Sequence, residues 1–380
     1  MAPRVLIDAT AVPADRGGVG RYVDGLVGAL DTADVSLALV CQRSDAERYG
    51  RIAPHVEVVA GPTAISHRPA RLAWEQTGLP LVAQSVGAEV IHSPHYTMPL
   101  HSNIPVVVTV HDATFFSEPA LHSAVRGAFY RSATRTAVRR ATRVIVPSHS
   151  TRDELVRLLD ADPARIDVAR HGVDARTFHV SDAGERERVA TRLGLRGQNY
   201  VAFLGVLERR KNVPNLIRGW IQACRDLDEP PALVMAGSSG WDDEVDQAIS
   251  EVPPGLRALR PGYLRPADLA GLLGGATVVA YPSAAEGFGL PVLDAMACGA
   301  PVMTVARLSL PEVGGDAVEY TEPDAESIAE GLRSLLRDPQ RRATLAEAGR
   351  ARARDFTWAA SAEAHAQAYR RAAAGVPVST

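Results

Sequence analysis

The chain has 380 residues, and its 41 basic and 44 acidic side chains give a formal net charge of -3. This length is about twice that of a typical domain, so it predicts two domains that each bury a core. A charge so close to zero argues against nucleic acid as a partner. The three cysteines, Cys41, Cys224 and Cys298, are widely spaced, which argues against a disulfide framework or a zinc site.

The start of the chain lacks the charged-then-apolar pattern of a signal peptide. No apolar run reaches the roughly 18 residues that a membrane-spanning helix needs. We therefore expect a cytoplasmic protein.

Short β-branched runs alternate with longer helical patterns through the first half of the chain. The predicted strands are Val5 to Asp8, Ser36 to Cys41, Glu89 to His92, Val106 to His111 and Arg143 to Pro147. This alternation predicts an α/β domain over residues 1–180, with a parallel sheet covered by helices.

A charged, weakly apolar stretch then predicts a linker at residues 181–198. The alternation restarts with strands at Tyr200 to Gly205, Ala232 to Gly237, Thr277 to Pro282 and Val302 to Val305. We predict a second doubly wound domain over residues 199–357, and a helix and frayed tail at 358–380. Ligands of open α/β sheets bind beyond the carboxyl ends of the strands, so we expect the site in a cleft between the domains.

The segment from Tyr281 to Pro301 predicts a strand, a glycine-containing loop and a helix with proline in its first turn. The first N–H groups of such a helix suit a diphosphate, and Gly287 and Gly289 let the backbone approach it closely. Glu286 would face the cleft, and Asp294, one turn inside the helix, could bind a ribose. The alternative is a capped amphipathic helix without a ligand.

A basic turn, Glu208 to Asn212, follows the first strand of the second domain. Arg210 can bind two phosphate oxygens and Lys211 supplies an ammonium, whereas Arg209 is a weaker candidate. The alternative is a basic turn on a solvated face.

The first domain has a glycine loop, Asp15 to Tyr22, in which Gly17 and Gly18 can approach a phosphate or a sugar. No acidic residue ends the second strand, which argues against a nicotinamide enzyme. A plain turn is the alternative for this loop.

The next strand-end candidate in the first domain is the dipeptide His111-Asp112. Its imidazole could hydrogen-bond a sugar hydroxyl, or it could be a structural histidine. Asp112 could orient that ring or simply cap the next segment.

The motif around Glu286-Gly-Phe-Gly-Leu-Pro resembles the Glu-x7-Glu region of family 4 retaining glycosyltransferases, with Asp294 in place of the second glutamate. The resemblance extends over nearly the whole chain and points to a bacterial mannosyltransferase-like branch. It implies the GT-B fold: two Rossmann-like doubly wound domains that face each other across a cleft, with a C-terminal helix that returns to the first domain.

The resemblance also implies roles for residues of this chain. Catalytic contacts are implied for His111, Glu286, Lys211 and Arg210, and donor contacts for Gly17, Gly18, Gly205, Tyr263, Gly287, Phe288, Gly289, Leu290 and Asp294. Core packing is the alternative for Tyr263. His171 replaces the asparagine that is usual in the family, and no role is assigned to it.

The expected reaction is transfer of a hexose from a nucleoside diphosphate sugar to a hydroxyl of a glycan, a glycolipid or a small molecule. Mannose from GDP-mannose is favoured, because Ser309 to Val313 resembles the mannosyltransferase branch. We expect no cofactor and no metal, and we interpret Asp160-Ala-Asp162 as a helix-ending turn. Replacing Lys211 or Glu286 with alanine should abolish turnover and leave the fold intact.

Three alternatives stay open: a UDP-sugar-dependent transferase, an epimerase or phosphorylase of the same fold, and a non-catalytic sugar-nucleotide-binding subunit. Residues 115–130 mix aromatic side chains with Arg126 and Arg131. They could form an ordinary amphipathic helix, or a helix that meets a lipid-linked acceptor as a peripheral contact at the inner membrane face.

Overall fold

A computed structural model describes residues 2–13, 16–195 and 197–375. Asp15 of the glycine loop and most of the predicted frayed tail lie outside these residues. The chain divides into unit 1, Met1–Gly172 with Thr357–Thr380, and unit 2, Val173–Phe356.

Unit 1 contains a parallel sheet of seven strands among its described residues, in the order β3-β2-β1-β4-β5-β6-β7. The strands are β1 Arg4–Asp8, β2 Ser36–Cys41, β3 Glu57–Ala60, β4 Val90–Ser93, β5 Val106–Thr109, β6 Arg143–Val146 and β7 Ile166–Val168. The helices before unit 2 are α1 Gly18–Leu30, α2 Ala46–Ile52, α3 Arg68–Ser85, α4 Thr114–Ser117, α5 Ala124–Arg140 and α6 His149–Leu159.

Unit 2 contains a parallel sheet of six strands in its described part, in the order β10-β9-β8-β11-β12-β13. The strands are β8 Tyr200–Leu204, β9 Ala232–Ala236, β10 Ala258–Gly262, β11 Val278–Tyr281, β12 Val302–Val305 and β13 Glu319–Thr321. The helices are α7 Ala183–Arg192, α8 Val213–Cys224, α9 Glu244–Ser250, α10 Pro266–Gly274, α11 Leu290–Ala297, α12 Leu310–Gly314, α13 Ala325–Arg337 and α14 Pro339–Ala353. The last helix, α15 Trp358–Ala373, belongs to unit 1.

These elements confirm the expected α/β class with two Rossmann-like sheets. The predicted strands all form, because their apolar runs are buried on both faces of a parallel sheet. The sequence analysis assigned no range to the edge strands β3, β7, β10 and β13, which are three to five residues long. Cys41, Cys224 and Cys298 are buried and unpaired.

The segment expected to be a linker contains α7, which is part of unit 2 and packs on α10. Asp182 accepts a hydrogen bond from Glu185 N, and the Glu185 side chain accepts one from Asp182 N, so the two residues form a capping box. Val189 is 1% exposed, and this apolar contact was obscured in the sequence by the charged residues around it.

Of the aromatic side chains of residues 115–130, Phe115 is buried, and Phe116, Phe129 and Tyr130 are half-buried. Phe115 is 7% exposed and stacks on Tyr130 with 4.7 Å between the ring centroids. Arg131 Nη1 donates to the Phe115 carbonyl at 3.1 Å. These contacts fix Phe115 and Tyr130 within unit 1, and the peripheral membrane contact stays a prediction. No helix in the described ranges is long and apolar enough to cross a membrane.

Helix α15 returns to unit 1, as the sequence predicted, and packs against α1 and strands β4 to β7. Its first residue, Trp358, lies against Gly25 of α1. A Cβ atom added at Gly25 would lie 2.2 Å from Trp358 Cε2, so only glycine leaves room for the indole ring.

Replacing Gly25 with alanine should therefore destabilise unit 1 by about 1–3 kcal/mol, since the added methyl group would displace Trp358. Gly50 of α2 is the matched control, because a Cβ there meets no atom within 4 Å. Gly50→Ala should stabilise the protein by about 0.5–1 kcal/mol. Urea unfolding followed by circular dichroism measures both effects. An unchanged midpoint for Gly25→Ala would show that the indole ring does not fix α15 on α1.

Candidate active site

In unit 2, the loops after β8 and β11 lie side by side because these strands are neighbours in the sheet. The first loop carries the basic turn and the second carries Glu286. Ala284 N donates to the Arg210 carbonyl at 2.8 Å, which joins the two loops through their backbones.

The Glu286 carboxylate is the centre of a buried polar cluster. Its Oε1 accepts hydrogen bonds from Lys211 Nζ, from Tyr281 OH at 2.8 Å and from Ser283 Oγ at 2.7 Å. Its Oε2 accepts one from Arg210 Nη1 at 2.8 Å. Glu286 is 8% exposed and Lys211 is 5% exposed. We call these five residues the Glu286 cluster.

The charges in this cluster depend on one another. Burial acts to raise the pKa of Glu286, but Arg210 and Lys211 lower it from 4.5 to about 2. Burial and Arg210 lower the pKa of Lys211 from 10.5 to about 8, and Glu286 opposes this shift. Burial and Glu286 raise the pKa of Tyr281 well above 10. At neutral pH Glu286 is therefore ionised and Lys211 is mostly protonated.

Three of these donors bind Oε1 and one binds Oε2, so the chain itself takes up most of the roughly four acceptor sites of the carboxylate. The main role of Glu286 that the structure shows is therefore to bind two cations, Lys211 and Arg210. Lys211 keeps a third N–H with no partner among the described residues, and Arg210 Nε also donates to Glu208 at 3.1 Å.

The loop before α11 is held in one conformation by glycine and serine. Gly289, at the N-cap of α11, has φ +110°, a value that favours glycine. The hydroxyl of Ser309 lies 2.8 Å from the Glu286 carbonyl and 2.9 Å from that of Phe288. Ser309 therefore fixes Gly287 and Phe288 just before the first N–H groups of Leu290 and the rest of α11.

Two glycines that the sequence analysis did not identify allow the basic loop to form. A Cβ at Gly237 would lie 2.0 Å from the Gly205 carbonyl oxygen, and one at Gly240 would lie 1.9 Å from the Leu207 carbonyl oxygen. The loop after β9 thus packs directly on the backbone of the loop after β8. The pattern Gly-Ser-Ser-Gly after a predicted strand was the signal for this close approach.

The other candidates of unit 2 take different positions. Tyr263 follows β10 and is 67% exposed, so core packing was the wrong alternative. Arg209 lies near Asp243, at 3.8 Å, and over the Trp241 ring, not in the Glu286 cluster. Asp294 lies in α11 and is fully buried.

In unit 1, Gly17 is the N-cap of α1 and Gly18 is its first residue. A Cβ atom at either position would meet nothing within 4 Å, so the start of this helix is open. Steric crowding therefore does not explain why these two residues are glycine.

His111 lies just beyond β5. A carbonyl oxygen only accepts, so the contact of 2.8 Å between His111 Nε2 and the Pro94 carbonyl assigns the proton to Nε2. Burial lowers the pKa of His111, although Pro94 and Asp112 oppose the shift. The ring is then neutral, and its Nδ1, unpartnered among the described residues, can accept a hydrogen bond. Asp112 caps the next turn by accepting from Thr114 Oγ1 at 2.7 Å.

Further polar side chains, which the sequence analysis missed, gather beyond β1 and β4. Asp8 ends β1, is 2% exposed, and accepts from Thr10 N at 2.9 Å. Glu75 of α3 accepts from Arg71 at 2.9 Å and from Thr97, in the segment after β4, at 2.6 Å. Strands β1 and β4 meet where the strand order reverses, the usual ligand position in such sheets. The strand-end position of Asp8 was the available signal.

Asp160 and Asp162 form a helix-ending turn, as predicted. Asp160 follows α6 with φ +51°, and Asp162 accepts from Ala164 N at 2.9 Å. Among the described residues, no three His, Cys, Asp or Glu side chains are grouped so that they could hold a metal ion.

Comparison with known proteins identifies the family of the chain. The family model described as "Glycosyltransferase Family 4" matches residues 16–177, and "Glycosyl transferases group 1" matches residues 186–352. O-antigen chain mannosyltransferase B of Escherichia coli is 30% identical over 276 residues, which cover 71% of each chain. The chain belongs to glycosyltransferase family 4. A D-inositol 3-phosphate glycosyltransferase of Mycolicibacterium paratuberculosis is 31% identical over 399 residues, covering 94% of this chain and 86% of the relative.

Solved structures have the same fold as this family 4 glycosyltransferase. HepE of Anabaena, solved in complex with UDP and glucose, superposes with a TM-score of 0.75 at 19% identity, covering 96% of this chain and 98% of HepE. At this identity the likeness shows the fold alone, which is GT-B. The family membership and the curated relatives make the protein an enzyme of the glycosyltransferase class, as predicted.

The structure changes the best test of Glu286. Alanine at this position would leave the buried Lys211 without its carboxylate partner and Arg210 with Glu208 alone, so we now expect the fold to be weakened as well as turnover. Glu286→Gln should destabilise the glycosyltransferase by about 3 kcal/mol at neutral pH.

The loss of folding stability caused by Glu286→Gln should depend on pH. The folded pKa lies below the unfolded value, so the contribution of Glu286 is fully present above pH 4.5 and disappears as the pH falls through about 2. Thermal unfolding of both proteins between pH 7 and pH 2 measures the difference. Glu251→Gln, which breaks an exposed pair with Arg218, is the control and should change little. A difference that does not depend on pH would contradict the assigned ion pairs.

Proposed function

We propose that this glycosyltransferase moves a hexose from a nucleoside diphosphate sugar to an acceptor hydroxyl and retains the anomeric configuration. The Glu286 cluster is the observation that supports this most strongly. A departing nucleoside diphosphate develops negative charge, and fixed cations stabilise that charge without reorganising during the reaction. Lys211 and Arg210 are such cations, because a shared buried carboxylate holds both.

In this proposal the diphosphate binds at the third N–H of Lys211, at Arg210 and at the N–H groups of the first turn of α11. Gly205, Gly287 and Gly289 let the backbone approach it. Arg210 would exchange one of its carboxylate partners for a phosphate oxygen. Asp294 is proposed for the ribose and Tyr263 for the base, which its exposure permits.

His111 is proposed to accept a hydrogen bond from a hydroxyl of the transferred sugar through Nδ1. As the bond from the anomeric carbon to the phosphate oxygen breaks, the acceptor oxygen bonds to the same face of that carbon, and its proton passes to the leaving phosphate oxygen. The scheme follows the family resemblance and includes neither a cofactor nor a metal ion.

We propose GDP-mannose as the donor, on two grounds: the name of the Escherichia coli relative, and the resemblance of Ser309 to Val313 to the mannosyltransferase branch. The alternative, a UDP-sugar, draws on HepE, which was solved with UDP and glucose. The acceptor is a hydroxyl of a glycan, a lipid-linked glycan or a small molecule. A peripheral contact at the inner membrane face, through the partly exposed aromatic side chains at 115–130, stays a prediction.

Thermal shift against a panel of nucleotide sugars should identify the donor, since a ligand that binds only the native state raises its apparent stability. GDP-mannose should give the largest shift and should be hydrolysed slowly without an acceptor. A larger shift with UDP-glucose would assign the alternative donor. Epimerised donor in place of free sugar would contradict transfer.

Two adjacent arginines provide a matched pair of variants. Arg210→Met should lower kcat/KM for donor turnover by roughly 100-fold, because it removes one group that stabilises the leaving diphosphate. Arg209→Met removes the same charge outside the Glu286 cluster and should retain near-normal turnover. Release of nucleoside diphosphate measures both variants. Equal losses would mean that general positive charge, and not the position of Arg210, is what matters.

A further inference from the structure

A continuous line of buried hydrogen bonds crosses unit 1. Tyr369 OH lies 2.8 Å from His92 Nδ1, and His92 Nε2 lies 2.8 Å from Thr109 Oγ1. Tyr22 OH lies 2.8 Å from both Thr109 Oγ1 and His365 Nε2. All five side chains are at most 1% exposed.

Each hydrogen bond of this line has one possible donor and one possible acceptor. His365 Nδ1 lies 2.7 Å from the Ser361 carbonyl, which can only accept, so the proton of His365 is on Nδ1. Burial lowers the pKa of His365 to about 4, so the ring is neutral near pH 7 and its Nε2 must accept from Tyr22.

The remaining directions follow from the single hydrogen of each hydroxyl. The Tyr22 hydroxyl donates its single hydrogen to His365 Nε2, so Tyr22 OH must accept a hydrogen bond from Thr109 Oγ1. Thr109 Oγ1 in turn accepts a hydrogen bond from His92 Nε2–H. Burial keeps the pKa of His92 well below 6.5, so His92 Nδ1 accepts from Tyr369. The line therefore begins at Tyr369 and ends at the Ser361 carbonyl, both on α15.

Tyr22, which lies within this line, contacts the histidine of the candidate site. The Tyr22 ring meets His111 edge to face, with 5.0 Å between centroids and 80° between planes. Other ring neighbours of Tyr22 are His171, with 4.9 Å between centroids, and Trp358, with 6.3 Å. His171 and Trp358 are themselves stacked at 5.8 Å, which gives the unassigned His171 a place in this packing.

We propose that Tyr22 is a positioning residue for His111, and that α15 holds Tyr22 in place through this directed line of hydrogen bonds. The inference rests on the proposed role of His111 toward the transferred sugar. The line sets the tilt of the Tyr22 ring, and that ring in turn limits the orientation of His111. The last helix of the chain thereby acts on His111 through Tyr22.

The test breaks the line at two places without changing side-chain shape. Thr109→Val is nearly isosteric and removes the central hydroxyl, and Tyr369→Phe removes the first donor, far along the line from His111. Thr109→Ser keeps a hydroxyl and is the rescue variant. Tyr200→Phe is the control, because it removes a buried hydroxyl that donates to the Leu272 carbonyl at 2.7 Å in unit 2.

The primary measurement is the side-chain nitrogen NMR signals of histidine, assigned by single replacements among the 11 histidines. Thr109→Val and Tyr369→Phe should shift the His111 signal, while Thr109→Ser and Tyr200→Phe leave it as in the wild type. Tyr200→Phe should lower only the stability. A His111 signal that is unchanged in both line-breaking variants would overturn the inference.

The second measurement is turnover of GDP-mannose, or of whichever nucleotide sugar gives the largest thermal shift. Both line-breaking variants should lower kcat roughly tenfold at temperatures where they stay folded, with KM for the donor near the wild-type value. Normal kcat in both would also overturn the inference. If the wild-type protein turns over no nucleotide sugar, the proposed function fails, and the NMR signal of His111 alone decides whether Tyr22 positions it.

Discussion

The buried carboxylate of Glu286 is the constraint on which the site of unit 2 depends. Lys211 loses most of its hydration at 5% exposure, and burial together with Arg210 already lowers its pKa to about 8. Without the Glu286 carboxylate, the main group that opposes this shift would be lost, and Lys211 would give up its proton at a lower pH. The adjacency of β8 and β11 and the glycine contacts at Gly237 and Gly289 serve this one ion-pair group.

The central polar groups of unit 1 are held by hydrogen bonds between neutral side chains instead of by ion pairs. These groups are neutral histidines, tyrosines and threonine, and each of their protons has one assigned acceptor. A fully satisfied buried network favours a single arrangement, since any other rotamer or tautomer leaves a polar atom unpaired. In this proposal one half of the enzyme offers fixed charge to a leaving group, and the other offers a fixed neutral ring to a sugar.

Local sequence signals predicted much of the fold and of the site. The buried strands have strong apolar runs, and the motif residues from Glu208 to Asn212 and around Glu286 lie at strand ends, as parallel sheets require. The signals failed where short or charged segments form regular structure, as in β7 and α7. They also left open whether Tyr263 packs inside unit 2, which its exposure of 67% decides.

The sequence by itself determined the α/β class, the family and the candidate residues for the chemistry, because periodicity and motif spacing are local properties of the chain. Only the tertiary structure decided which partners these residues have. Glu286 and Lys211 are 75 positions apart, and Tyr22 and His365 are 343 apart. Their contacts depend on strand order and helix packing, which no local pattern encodes. The proton positions on His111, His92 and His365 likewise follow from acceptors that folding brings to them.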